Sequence, residues 1–251
     1  MILVLTYHKV LRVADSESGF YTIQAEQLER HLELLAQSSL LALSPEKLAR
    51  LEPSAKHAYL LTFDDGTADH YEVVLPLLAR YDSRAVFFVP SARLDRPGYL
   101  TSKQVTEMGR AGQTIGLHSH EHRRLDSLEE EQIRAQMDLS RKIIAGLTGK
   151  SPLFFAPVGG FINRRLRDIA FESGVRVIRT MQWGYNQKLD PGALQCIPVN
   201  RHFTEARFRQ VLEFRRRSAM LYAAKEITKK VVPSRTYESL RRMVFGHSAH
   251  K

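Results

Sequence analysis

Tyr59-Leu60-Leu61-Thr62-Phe63-Asp64-Asp65-Gly66 is an apolar run that ends in two adjacent carboxylates and a glycine. Its length and composition are those of a strand buried on both faces. Asp and Gly also favour turns, so the last three residues read equally well as a plain strand-to-turn signal. Adjacent carboxylates repel each other, however, and a fold that parks both at the end of a buried strand usually neutralises one with a cation. A second stretch has the same form. Thr114-Ile115-Gly116-Leu117 runs into His118-Ser119-His120-Glu121-His122, which sets two imidazoles four residues apart. A third apolar strand end follows at Phe155-Ala156-Pro157-Val158-Gly159. One Asp with two His leaves a zinc-like ion open positions for water and substrate, which is the catalytic pattern.

Working outward, seven short β-rich runs are expected to be strands: 2–8, 59–64, 84–90, 114–118, 153–157, 176–180 and 196–201. Helical periodicity fills most of the gaps, over 25–36, 70–81, 102–110, 128–147 and 164–172. Gly112, Gly149 and Gly174 stand where three of these helices should stop. Strand–helix alternation with near-continuous apolar strands predicts parallel pairing and an α/β fold. Seven units predict an incomplete, distorted (β/α) barrel rather than an open sheet, with the chemistry at the C-terminal strand ends. His8, Asp64-Asp65, His118, Pro157-Val158 and His202 all fall at such ends. The expected domains are a barrel over 1–204 and a basic helical extension over 205–251, packed on or beside it.

At 251 residues the chain can bury a sizeable core, and its 43% hydrophobic content is ordinary. Cys196 is the only cysteine. That excludes an intramolecular disulfide and a thiolate metal cluster, so any metal must use His and carboxylate ligands. The first ten residues lack the pattern of a signal peptide and no run is long enough to span a bilayer, which predicts a cytoplasmic protein. Of the net charge of +10, +8 lies in residues 205–251, where twelve Lys and Arg face four Glu. The apolar residues Phe208, Val211, Leu212 and Phe214 begin a basic amphipathic pattern there. It reads either as a closing helix with a solvated basic face or as a dock for an anionic membrane surface at the inner face of the membrane. No groove-reading or base-stacking module is present, so nucleic acid is not an expected partner. Gly146–Ser151 has neither the glycine spacing nor the strand–helix order of a phosphate loop and reads as a helix end.

The Thr62–Gly66 and Ile115–His122 motifs, with the opening Leu5-Thr6-Tyr7-His8-Lys9-Val10 and the run Ala85–Pro90, resemble the NodB-homology polysaccharide deacetylase family over about residues 2–200. Its members are metal-dependent hydrolases that remove N-acetyl, and sometimes O-acetyl or formyl, groups from sugars. The resemblance implies an incomplete barrel of seven or eight β/α units. It also implies Asp65, His118 and His122 as metal ligands, Asp64 as general base, and the Val158 backbone N–H as oxyanion donor. The ion it implies is Zn2+, with Co2+, Ni2+ or Mn2+ as alternatives that suit the same ligands.

The chain departs from the family pattern in three places. Phe155 stands where the third motif often carries an Arg that pairs with the base; either another group supplies that charge or the base works without it. Val158 replaces the usual aromatic. The proton-donating His of the last motif has no clear match, which leaves His8 and His202 as candidates, with His8 favoured. Pro157, Gly159, Trp183 and Tyr185 are the expected substrate contacts, the two aromatics on a loop overhanging the site. The expected function is removal of N-acetyl groups from a sugar, free or lipid-linked, in polysaccharide or glycolipid biosynthesis. The alternatives are a deformylase or other amide hydrolase on the same scaffold, and a glycan-binding pseudoenzyme.

Overall fold

The computed structural model describes residues 1–13, 18–52 and 57–214. Its elements in chain order are β1 (Ile2–Tyr7), β2 (Lys9–Leu11), β3 (Thr22–Gln24), α1 (Ala25–Gln37), β4 (Leu41–Ala42), α2 (Pro45–Ala49), β5 (Ala58–Phe63), α3 (Leu75–Arg80), β6 (Ala85–Val89), α4 (Ser102–Arg110), β7 (Thr114–Leu117), α5 (Glu130–Thr148), β8 (Phe154–Phe155), α6 (Arg164–Glu172), β9 (Val177–Trp183), β10 (Leu194–Pro198) and α7 (Glu205–Leu212). The seven expected strands are β1, β5, β6, β7, β8, β9 and β10. They pair in parallel in that order, and β10 returns to β1 to close the ring. The barrel is distorted: β8 is two residues long, and the β9–β10 register shifts between Leu194 and Cys196. The short strands β2, β3 and β4 lie outside the ring; β2 pairs with β3, and β4 adds to the edge of β5.

Strand periodicity sorts each barrel residue to one of two faces. Leu3, Leu5, Tyr7, Leu61, Phe63, Phe87 and Leu117 face outward into one cluster with helix residues such as Leu28, Leu78, Met108 and Met137. Val4, Leu60, Val86, Phe88, Phe154, Ala156, Val177 and Cys196 form the second cluster, in the lumen, and Leu43 and Leu48 join it from the segment around α2. Gly116 leaves room for Phe88: a Cβ there would stand 2.8 Å from its ring. Both faces of the sheet are therefore covered, which is why the strands read as continuous apolar runs rather than alternating ones.

The expected helix over 70–81 opens instead with a π-helical turn, His70–Val74, before α3. Pro76 has no N–H to donate back to Glu72, so the regular ladder cannot run through this point. The helix α7, which begins the expected extension, docks on α1. His31 of α1 stacks on Phe208 at a ring separation of 3.9 Å, and Arg30 pairs with Glu205 at 2.8 Å. The remainder of the extension, 215–251, lies outside the described residues. Among the described residues no helix is long and apolar enough to cross a membrane.

The buried His31 gives this docking a pH signature. Burial pushes its pKa down from the ordinary 6.5 to about 3, with Glu205 opposing weakly. Below pH 6.5 the unfolded chain takes up a proton that the folded chain refuses. Stability is therefore lost as pH falls from 6.5 toward 3, by up to ~1.4 kcal/mol per pH unit. Urea denaturation between pH 7.5 and 4 should show a steeper loss for wild type than for His31→Phe. Parallel curves for the two proteins would refute the assignment.

Candidate metal and acid–base centre

The alternation that packs the lumen also aims the polar residues. His8, Asp64 and His118, just past the ends of β1, β5 and β7, and Arg179 within β9 carry on the inward-facing positions of their strands. They form a polar layer at the C-terminal rim, above an apolar lumen. Asp65 follows Asp64 with a φ of +79°, and the chain continues through Gly66 at +62°. That left-handed turn sends the two neighbouring carboxylates to different partners. Of the seven non-glycine residues with positive φ among those described, three lie here: Asp65, Ser119 and His122. Such conformations carry a cost that packing must over-determine, and they concentrate at functional sites.

Asp65 Oδ1 is faced by His122 Nε2 at 2.9 Å and by His118 Nε2 at 3.3 Å. One ligand atom from each of the three residues lies within 4.8 Å of the others. Burial works against the Asp65 charge, but the hydrogen bonds from His118 and His122 outweigh it and hold the carboxyl well below its ordinary range. His118 Nδ1–H donates to the Ala156 carbonyl at 2.6 Å. A carbonyl can only accept, so Nδ1 carries a proton, and an ion at Nε2 would take the place of the proton that Nε2 offers to Asp65. Two imidazoles and a carboxylate oxygen on a rigid strand-end frame fit a divalent cation with open coordination positions. His120, between the two ligand positions, turns away and meets Ser91 Oγ through Nδ1 at 2.8 Å.

Asp64 is 2% exposed and takes a different partner. Arg179 Nη2 donates to both of its carboxylate oxygens. Arg179 is itself buried; its guanidinium lies 5.0 Å from the Phe88 ring centroid and its Nη1 meets Met181 Sδ at 3.0 Å. Burial works against its charge, but the Asp64 carboxylate more than compensates and keeps the guanidinium protonated. His8 Nε2 stands 3.8 Å from Asp64 Oδ2, and the ring stacks on Tyr21 at 4.6 Å. Burial lowers the His8 pKa, against the pull of Asp64 and Asp65. The π-helical turn grips the backbone on either side of Lys9: His70 Nε2–H donates to the His8 carbonyl (2.7 Å) and Asp69 Oδ2 accepts from Val10 N–H (2.7 Å).

Pro157 and Val158 follow β8 directly, and Val158–Gly160 forms a single turn closed by Gly160 N–H to the Pro157 carbonyl at 2.8 Å. The Val158 N–H takes no part in that bond. A Cβ on Gly160 would stand 2.4 Å from the Met181 amide nitrogen, so this turn lies directly on β9, two residues from Arg179.

The family described as polysaccharide deacetylase matches residues 52–178, just over half of the 251 residues. The chain belongs to the polysaccharide deacetylase family. It is 31% identical over 136 residues to a peptidoglycan-N-acetylglucosamine deacetylase of Bacillus cereus, covering 54% of this chain and 60% of that protein. It is 30% identical over 121 residues to chitin deacetylase 1 of Cryptococcus neoformans, covering 48% of this chain and 25% of that one. The chain thus spans about three fifths or less of the length of these curated relatives. Among solved structures, the deacetylase PplD of Streptococcus pyogenes superposes with a TM-score of 0.77 at 23% identity, covering 84% of this chain and 97% of that one. IcaB from Ammonifex degensii gives 0.74 at 23% identity, over 85% and 96%. At these identities the structural likeness concerns the fold, and it agrees with the closed seven-stranded barrel.

As a deacetylase-family barrel, the chain assembles most of the expected residues and leaves three aside. His202 is exposed; its ring lies 6.0 Å from Phe20 and its Nε2 meets Arg201 Nε at 3.4 Å, so it does not join the rim cluster. Trp183 and Tyr185 do not overhang the rim. Strand β9 runs on to Trp183, past the expected end at Thr180, and the chain then turns back so that Asn186 bridges Ile2 at the start of β1. Tyr185 packs on Phe214 (5.2 Å), which packs on His57 (5.4 Å), the residue before β5. Tyr185 therefore sits at the N-terminal end of strands whose C-terminal ends carry His8 and Asp64. A cavity of about 290 Å³ lined by Tyr185, Asn186 and Gln195 lies at that end too.

The residue that sequence reasoning missed is Arg179. It supplies to Asp64 the positive charge that Phe155 cannot, from the neighbouring strand. A signal was present: an arginine inside Val175–Thr180, an apolar strand covered on both faces, must have a carboxylate partner.

Proposed function

We propose that this chain is a metal-dependent hydrolase that removes N-acetyl groups from a sugar in polysaccharide or glycolipid assembly. The observation that carries this reading is the split between the two neighbouring carboxylates: Asp65 shared with two imidazoles, Asp64 held by a buried arginine on the same rim. Asp65, His118 and His122 would hold the ion, which when bound supplies Lewis acidity to an acyl oxygen and acidity to a water. Asp64 is the general base. Arg179 fixes both of its oxygens, so one lone pair is aimed at the attacking water. The Val158 N–H is the donor toward the oxygen that gains charge, at a preorganised turn. His8, beside Asp64 and backed by Tyr21, returns the proton to the departing amine. Water, amide and the two protonation events balance to acetate and a free amine.

Zinc is the proposed ion because its tetrahedral preference suits two imidazoles and one carboxylate with an open position. Lipid linkage of the sugar, cytoplasmic placement, and contact of the basic residues after 214 with an anionic membrane surface complete the proposal. Vesicle sedimentation with and without anionic lipid tests the last of these.

The metal-reconstituted full chain should release acetate from N-acetylhexosamine oligosaccharides, and Asp64→Asn should lower kcat by about 10²–10⁴-fold with the metal still bound. Formate in place of acetate, from formylated sugars only, would move the reading to a deformylase. A metal-loaded wild type that releases neither would overturn it.

A further inference from the structure

The segment between β6 and α4 is stapled to both ligand-bearing loops. On one side Ala92 N–H donates to the His120 carbonyl (2.9 Å) and Ser91 Oγ meets His120 Nδ1 (2.8 Å). On the other, Leu100 N–H donates to the Gly66 carbonyl (2.9 Å), Ala68 N–H to the Gly98 carbonyl (3.0 Å), and Tyr99 bridges Thr67. Arg93 rides on this segment. Its Cζ lies 5.0 Å from the Tyr99 ring centroid and its Nη1 donates to the Tyr99 hydroxyl.

Arg93 is half-buried, yet among the described residues it forms no ion pair with any Asp or Glu. The nearby acids are engaged elsewhere: Asp95 accepts from Ser102 N–H (2.8 Å) and Oγ (2.6 Å), and Glu121 pairs with Arg123 (3.4 Å) and Gln136 (3.0 Å). Arg96, exposed on the same segment and equally without an ion pair among the described residues, reinforces the positive potential. A guanidinium stacked on an aromatic ring and freed from carboxylates is preorganised for bidentate contact with a planar or tetrahedral oxyanion.

We propose that Arg93, braced by Tyr99, is a subsite for an anionic oxygen group, a carboxylate or a phosphate, carried by the sugar chain next to the unit held at the Asp65–His118–His122 cluster. This rests on the deacetylase reading for its position along the substrate, but its test does not require turnover. Binding is measured by calorimetry on the metal-loaded full chain carrying Asp64→Asn. Three probes are used: a neutral N-acetylglucosamine oligosaccharide, the same chain with a carboxylate on the adjoining sugar, and the same chain with a phosphate there.

One or both anionic probes should bind about tenfold more tightly than the neutral one at low salt, with the advantage shrinking as salt rises. Whichever anion gains more identifies the source. Arg93→Gln should abolish the advantage while neutral-probe affinity stays within about twofold, and Arg93→Lys should keep part of it. Equal affinities for all three probes, no measurable binding of the anionic probes, or a loss on Arg93→Gln common to neutral and anionic probes would overturn the subsite. Acetate release by the chain with Asp64 intact is scored separately. A subsite that binds anions on a chain that releases no acetate would sink the activity and leave the subsite standing.

Discussion

Arg179→Met should cost about 3–5 kcal/mol of folding stability, because it strands the Asp64 carboxylate in the barrel without its cation. Both partners are buried, and the arginine also fills lumen space between Phe88 and Met181. Methionine is unbranched and polarizable and fills most of that volume, so the loss reports charge more than cavity. The decisive comparison is the double variant. Asp64→Asn with Arg179→Met removes both charges, and most of the stability lost in the single variant should return, measured by urea denaturation at neutral pH. Activity should not return with it, since the proposed base is gone. Arg179→Met alone should also lower turnover by at least about 10²-fold, as the base loses the contact that orients it. A single variant that costs under about 1 kcal/mol, or a double variant no more stable than the single, would show that the pair is not the lumen's electrostatic anchor.

His118→Ala or Asp65→Ala should abolish both metal uptake and turnover, and should also erase the stability that the ion confers. An ion at about 100 times its dissociation constant adds about 2.7 kcal/mol to any fold that alone can bind it. Wild type should therefore melt at a clearly higher temperature with zinc than after chelation, while the two variants should melt alike in both conditions. His120→Ala is the control from within the same loop, because its ring turns to Ser91 rather than to Asp65. It should retain one ion per chain by metal analysis. A His118→Ala protein that keeps a full complement of metal at unchanged affinity would break the assignment of the cluster.

The legible parts of this protein share one physical cause. In a parallel barrel both faces of each strand are buried, so a strand reads as an unbroken apolar run. Polar residues survive only at its rim, and Tyr59–Leu61 before Asp64-Asp65 and Thr114–Leu117 before His118 carry that signature openly. The convergence of Asp65, His118 and His122 was legible for the same reason, since adjacent carboxylates and paired imidazoles at strand ends are costly without a cation. Trp183 and Tyr185 were misplaced because the direction a chain takes after a strand is set by what it pairs with next. Here that is Ile2, more than 180 residues away. His202 was misplaced in a similar way: a residue just past a strand can turn outward as easily as in, and this one lies against Phe20 and Arg201.

The sequence by itself determined the alternating strand–helix order, the seven strands of the ring, the family, and the Asp65, His118 and His122 set, because each of these is written in short-range patterns of burial and charge. Tertiary structure alone decided which cation meets Asp64. Arg179 is 115 residues away in sequence, and only barrel closure together with the inward parity of β9 brings its guanidinium onto that carboxylate. Tertiary structure also placed His8 rather than His202 beside Asp64, because that neighbour is chosen by strand register and not by the chain's local preferences.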